Sequence, residues 1–330
     1  MSSAVSKYRL GPFLLSSEIP LPELEPLDAD PTVAGSDAAG TDSVSIRIAS
    51  VPERIEGVVA NESRWWASHE EYLQRVPEVA NFLVRHGREV LVEPAPNAPA
   101  EDIRAYLLSP VFSALCHQAG MYSLHASAVR VGGGVVAFLG NSGAGKSTLA
   151  ASLAQRGYSV IADDICLLDT RLHDADSAAA SGPTLVIPVA PALKLWRSAL
   201  DHLGASSTSL PRVVRHDDKF RLKLSQPAEA LLRLPLREVF FLEWTSADDS
   251  DSDAQPSIAP IEGVEALTRL MEFTHFDYLM KATGRQTGNF FLCGRILSQA
   301  HAYTLRRPRN FAQLAPTLDV LEAHLLAIRK

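Results

Sequence analysis

Val135-Val136-Ala137-Phe138-Leu139-Gly140-Asn141-Ser142-Gly143-Ala144-Gly145-Lys146-Ser147-Thr148 is the stretch whose reading decides the fold. Its opening apolar run predicts a buried strand, and Gly145 to Arg156 predicts an amphipathic helix that Gly157 caps. Between the two, Gly140 to Ser147 satisfies the whole G-x-x-x-x-G-K-[ST] pattern. Small residues let the backbone N–H groups of residues 141 to 147 turn inward around an anion, and the start of the helix adds its positive dipole end. On this reading Gly140, Asn141, Ser142, Gly143, Ala144, Gly145, Lys146, Ser147 and Thr148 form a nucleotide loop. Lys146 reaches the β and γ phosphates of ATP, and the Ser147 hydroxyl is a Mg²⁺ ligand.

Working outward, Tyr158 to Ala162 predicts a short buried strand that delivers Asp163 and Asp164 at its end. Phosphate-loop proteins place the acidic group that orders the metal at such a strand end. The expectation is that Asp163 joins Ser147 in the metal shell and that Asp164 accepts the proton of an attacking hydroxyl, with the reverse order left open. On the other side, Tyr122 to Val131 and Val135 to Leu139 read as two strands joined by the tight connection Gly132-Gly133-Gly134. His125 lies in the first of them, fifteen residues before Gly140. A lone histidine in an apolar strand is more often a satisfied core residue than a catalyst.

Taken together, the segment His125-Ala126-Ser127-Ala128, the loop GNSGAGKST and the run QRGYSVIADDICLLD resemble the HPr kinase/phosphorylase family, whose core carries a His, a phosphate loop and a paired Asp in this order and spacing. Seventeen residues separate Lys146 from Asp163. The match is good over residues 121 to 170, and it puts His125, Lys146, Asp163 and Asp164 on the family's active-site positions. It implies an α/β fold with a P-loop kinase core of the HPr kinase/phosphoenolpyruvate carboxykinase type, a mixed sheet flanked by helices, preceded by an N-terminal α+β domain. The opening Tyr8-Arg9-Leu10-Gly11 and the run Ile19-Pro20-Leu21-Pro22-Glu23-Leu24 look more like the HPr-kinase-related proteins of peptide natural-product pathways, lasso peptides among them, than like true HPr kinase. That resemblance implies an ATP-dependent, Mg²⁺-requiring serine kinase whose acceptor is a Ser hydroxyl on a peptide or protein. Two alternatives stand beside it: a nucleotide-binding module without transferase activity, and a small-molecule kinase. The nearest downstream basic cluster, Arg215 to Leu222, includes Lys219 and Arg221, each read either as a phosphate contact or as one face of an alternating strand.

The chain of 330 residues is 46% hydrophobic, enough for a sizeable core, and the length suits two domains. The division falls at 1–108, assigned to acceptor recognition, and 109–330, assigned to the chemistry. A formal charge of -7 argues against a nucleic-acid partner. Cys116, Cys166 and Cys293 are too scattered for a disulfide framework or a zinc site, and read as buried thiols. No apolar run reaches the length of a membrane span, and no signal-peptide pattern is present, so the expectation is a cytoplasmic protein, with homo-oligomerisation left open.

Elsewhere the sequence predicts strands at Tyr8 to Pro20, Val44 to Ile48 and Glu89 to Glu93. A helix is expected from Trp65-Trp66 to Arg88, another within Ala98 to Gly120, and a last one from Thr317 to Arg329 with Leu318, Leu321, Leu325 and Ile328 on one face. Asp28 to Ser43 and Thr245 to Ser257 read as solvated loops.

Overall fold

The structure is a computed structural model that describes residues 5–27, 42–169, 182–189, 192–213, 217–224, 232–245 and 255–328. It has a mixed α/β fold that divides into two units. The first comprises Met1–Tyr122, Pro211–Asp217 and Phe276–Gln286, and the second Ser123–Leu210, Asp218–His275 and Thr287–Lys330. The expected boundary at 108/109 is therefore displaced to Tyr122, and two later segments return to the first unit. Both solvated stretches fall largely outside the described residues; the few described positions of the first, Asp42 and Ser43, already belong to a strand.

The first unit is built on an eight-stranded sheet in the order β1-β2-β3-β8-β7-β6-β5-β4. Its strands are β1 (Ser6–Leu10), β2 (Phe13–Ser17), β3 (Asp42–Ile48), β4 (Ala60–Glu62), β5 (Trp65–Ala67), β6 (Glu71–Val76), β7 (Ala80–Arg85) and β8 (Glu89–Pro94). The helix expected after Trp65-Trp66 is replaced by three antiparallel strands, β5 to β7. The turn from β6 to β7 uses the left-handed Glu78 at φ 63°, and the turn from β7 to β8 uses His86 at φ 51° followed by Gly87; no Asn-Gly or Asp-Gly pair announces either. Trp65 packs on Tyr72 and Tyr278. The helical stretch after Ala98 is present as α1 (Ala100–Tyr106) and α2 (Phe112–Gln118), joined by one wider turn at Leu107–Val111 that accommodates Pro110, whose ring nitrogen has no hydrogen to donate.

The second unit holds a nine-stranded mixed sheet with the path β12-β10-β11-β17-β14-β13-β9, to which β18 and β19 are added beside β17. The single strand expected from Tyr122 to Val131 is broken into β9 (Tyr122–Leu124) and β10 (Ala126–Val131), and His125 is the break. Its N–H leaves the ladder and donates to the Phe273 carbonyl at 2.7 Å. β10 turns at the three glycines into β11 (Gly134–Leu139), with Ala126 opposite Leu139. All six residues of β11 are buried, because the strand is flanked by β10 and by the parallel β17 (Leu234–Trp244). β12 (Val160–Ala162) and β13 (Cys166–Asp169) flank the paired aspartates. β14 (Leu185–Ile187) joins β13 and β17, while β15 (Ala192–Trp196) and β16 (Lys219–Lys223) make a separate antiparallel pair. Beside β17, β18 (Ser257–Pro260) pairs with β19 (His301–Arg307).

α3 (Lys146–Gln155) starts at the left-handed Gly145 and packs Leu149, Ala150 and Leu153, all fully buried, against the sheet. The cluster continues through α4 (Arg197–His202), whose Ala199 and Leu200 are buried. α5 (Gly263–Glu272) precedes the first-unit helix α6 (Asp277–Ala282) and the long α7 (Gln286–Gln299). α8 (Leu314–Ile328) begins one turn earlier than the sequence predicts, and its Leu314, Leu318, Leu321 and Leu325 join the same core. Truncating a leucine this buried costs about 2–5 kcal/mol. What this packing secures is the direction in which β11 hands the chain to the loop before α3.

Candidate functional site

β11 ends at Leu139 on the inside of the sheet, so the following loop emerges where β12 and β17 also end and β10 begins. Gly143 and Gly145 take φ of 83° and 79°, which an L side chain rarely adopts, and the Ala144 N–H donates to the Asn141 carbonyl at 3.0 Å. These turns wind residues 140–145 back over the N-terminus of α3. Lys146, only 7% exposed, folds onto its own loop, donating to the carbonyls of Gly140 at 2.6 Å and Asn141 at 3.3 Å. Its third donor points to His125 Nε2 at 3.1 Å. Burial lowers the ammonium pKa to about 8, with Asp163 and Asp164 opposing the shift and Lys219 adding to it.

With Nε2 accepting from Lys146, the ring proton of His125 resides on Nδ1, which faces the Asp164 carbonyl at 3.2 Å and its carboxylate at 3.3 Å. The break at His125 thus turns its ring to the loop on one side and to the aspartates on the other. Asp164 sits at φ 73° in the turn between β12 and β13. Its other carboxylate oxygen accepts from Lys194 Nζ at 2.6 Å. Burial alone pushes this carboxyl up, but Lys194 and His125 outweigh it and hold the group well below the usual carboxylate range.

Asp163 has the opposite electrostatics. Its oxygens accept from the Ser127 hydroxyl at 2.7 Å and from the backbone N–H of Lys194 at 2.8 Å, and Ser147 also hydrogen-bonds to it. Burial nevertheless raises its pKa, against the pull of those hydrogen bonds. Adjacent residues in sequence are therefore pushed apart, one toward the proton and one away from it.

All four residues singled out as catalytic in the sequence, His125, Lys146, Asp163 and Asp164, are brought together. Ser147 lies beside Asp163, as a shared metal shell requires. A cavity of about 860 Å³ runs over the loop, lined by His125, Asp164, Lys194 and Lys219 as well as by Ser142 to Thr148, except Ala144, and by Trp244, Arg307 and the segment before α8. Its lining carries five Lys and Arg side chains, Lys146, Lys194, Lys219, Arg307 and Arg309, against the one carboxylate of Asp164, which suits a polyphosphate. Thr148 lines it, whereas Arg221 is buried on β16 and does not. These features fit ATP with Mg²⁺: inward-turned loop, an ammonium held in reserve on replaceable carbonyl partners, and a hydroxyl beside a carboxylate.

Sequence reasoning missed three partners. Lys194 comes from β15, Ser127 from β10, and His275 stands beyond α5 with its ring centre 5.6 Å from that of His125. Burial lowers the His275 pKa to about 4. Within 4.8 Å of one another, ligand atoms of His125, Asp164 and His275 also form a group of the kind that holds a divalent cation.

No family model matches the sequence, and no curated protein matches it. Among solved structures, the HPr(Ser) kinase/phosphatase from Coxiella burnetii aligns at 10% identity, covering 62% of this chain and 92% of its own length, with a TM-score of 0.31. A likeness that loose carries no argument about fold or activity, so the reading rests on the site itself.

Proposed function

We propose that the protein is an ATP-dependent, Mg²⁺-requiring kinase that transfers the γ-phosphoryl group to a serine hydroxyl of a peptide or protein, as the sequence resemblance implies. The observation that supports this most is the continuous chain Lys146–His125–Asp164–Lys194 along the wall of one cavity with the phosphate loop. A module that only binds nucleotide has no use for a carboxylate held ionised by a dedicated lysine next to the γ-phosphate position.

Bound Mg²⁺-ATP supplies the phosphoryl group and the metal's charge on it. Lys146 exchanges the Gly140 and Asn141 carbonyls for phosphate oxygens, and neutralises charge as it builds up in transfer. Asp163 and Ser147 would hold the Mg²⁺, which would supply positive charge to the phosphate oxygens. Asp164 accepts the hydrogen bond of the acceptor hydroxyl and so aims its oxygen. Because Lys194 and His125 depress its basicity, what Asp164 contributes early is alignment, and the proton moves late, which a loose transition state permits. His125 keeps Lys146 and Asp164 in register by bonding both. The first unit we assign to acceptor recognition, since its sheet carries no comparable constellation among the described residues.

The test is transfer of label from γ-labelled ATP into serine-containing peptides with Mg²⁺ present. Label appearing on serine with the wild-type protein, and vanishing in Lys146→Ala, supports the reading. Unchanged transfer in Lys146→Ala would overturn it. Label released only as inorganic phosphate in the presence of a broad serine-peptide library would refute the choice of acceptor.

A further inference from the structure

Arg307 closes β19 and is 4% exposed, yet among the described residues it has no carboxylate partner. Leaving a buried charge without a counter-ion is costly, so its surroundings should explain it. Three contacts define them. The guanidinium lies over the Trp244 ring, 4.3 Å from its centre, Trp244 being the residue opposite Arg307 in the parallel β17/β19 ladder. Its Nη2 donates to the carbonyl of Ala144, inside the phosphate loop. It also presses so closely on Gly145 that a Cβ there would come within 2.9 Å of Nη2. The Nε has no hydrogen-bond partner among the described residues, and the side chain lines the same cavity as Lys146.

We propose that Arg307 is the positioning residue of the phosphate loop and its fixed positive charge, and that the counter-ion it lacks is the polyphosphate of the nucleotide. The inference rests on the kinase reading. A trans peptide holds its C=O and N–H in one plane, pointing in opposite directions. By fixing the Ala144 carbonyl toward β19, Arg307 turns the Gly145 N–H the other way, into the cradle. Trp244 supports the guanidinium from behind, and Gly145 is the residue that admits it from the front. Burial lowers the Arg307 pKa only to about 10, so the group stays cationic at neutral pH. The neighbouring carboxylate, Glu243, is taken by Arg269 at 2.8 Å and Arg306 at 3.0 Å, so it does not serve as the partner of Arg307.

The decisive experiment measures ADP and inorganic tripolyphosphate affinity, the melting temperature of the unliganded protein, and KM for ATP against kcat, in wild type, Arg307→Gln, Arg307→Lys and Arg269→Gln. Arg307→Gln should weaken both ligands by about tenfold or more, and raise KM far more than it lowers kcat, because charge-assisted contacts to the loop are lost. The unliganded melting temperature should hold or rise, since an uncompensated buried charge is removed. Arg307→Lys keeps the charge without the planar fork, and should fall between the two. Arg269→Gln, whose guanidinium stacks on Phe241, should lose melting temperature and bind tripolyphosphate like wild type. Equal affinity in either Arg307 variant overturns the proposal, as does a drop in melting temperature with unaltered binding by the folded fraction. Should Arg307→Gln fail to fold, Arg307→Lys decides alone. Wild-type protein that binds neither ligand would overturn the kinase reading as well.

Discussion

The two sheets of this protein handle charge in opposite ways. In the first unit, ion pairs such as Arg85–Glu71 and Arg47–Glu89 sit on half-exposed strand faces, where water screens them and each contributes little. In the second unit, charges are drawn inside: Lys146 and Arg307 are almost wholly buried, and Asp163, Asp164 and Lys194 line or back a single cavity. Burial of charge costs stability, and a fold retains it where chemistry needs poised groups. The difference locates the site without any motif.

If the comparison holds, the largest effect belongs to Lys146. Lys146→Ala should lower kcat/KM for ATP by on the order of a thousandfold, since it removes charge stabilisation that strengthens in the transition state. Steady-state turnover in Mg²⁺-ATP reads this directly, and a loss under tenfold would contradict it.

Asp164→Asn comes next, with kcat down by on the order of a hundredfold and nucleotide affinity near wild type. Asp163→Asn should instead raise the Mg²⁺ requirement. Magnesium titrations and single-turnover rates on both variants separate the roles, and exchanged phenotypes would exchange the assignments.

Two smaller effects concern pH. Lys194 holds the Asp164 carboxyl down, so Lys194→Met should move the acid limb of the kcat/KM profile upward. An unmoved limb would show that Asp164 does not govern it. For Lys146, the folded, unliganded protein releases the proton near pH 8, while the ordinary lysine value is 10.5. Between those values the unfolded chain binds the proton and the folded one does not, so unliganded stability should rise with pH across that window. Phosphate oxygens restore the ammonium, so ADP binding should take up a proton above pH 8 and weaken as the pH climbs. Calorimetry in buffers of different ionisation enthalpy detects the uptake.

The smallest effect is expected in the first unit. Arg85→Gln should cost under about 1 kcal/mol, read as a small shift in melting temperature, and leave turnover intact. A large loss would show that the exposed pairs are not as weak as the contrast requires. The displaced domain boundary bears on truncation too: a chain starting at Ser109 would begin inside the helical stretch of the first unit and leave two of its later segments behind. Point variants on that unit are therefore the sounder probe of acceptor recognition.

By itself the sequence determined what is local. The loop motif, its strand and helix, the glycine hairpin, the Asp163-Asp164 turn and the leucine stripe of α8 all depend on residues within a few positions of one another, where spacing alone fixes which side chains share a face. The strands from Trp65 to Arg85 were not legible, because β6 and β7 bury residues on both faces and so lack the period of two. Nor was the break at His125, which depends on a hydrogen bond to Phe273, far along the chain. Tertiary structure alone decided that Lys194 would hold Asp164, that His275 would stand behind His125, and that Arg307 would reach Ala144. Each comes from a strand or loop distant in sequence. A lysine in an alternating strand, or an arginine in the basic run Arg306-Arg307-Pro308-Arg309, looks like surface until strand order brings its neighbours together. Sheet topology sets those neighbours through long-range pairing and burial, and neither has a period that a linear reading can detect.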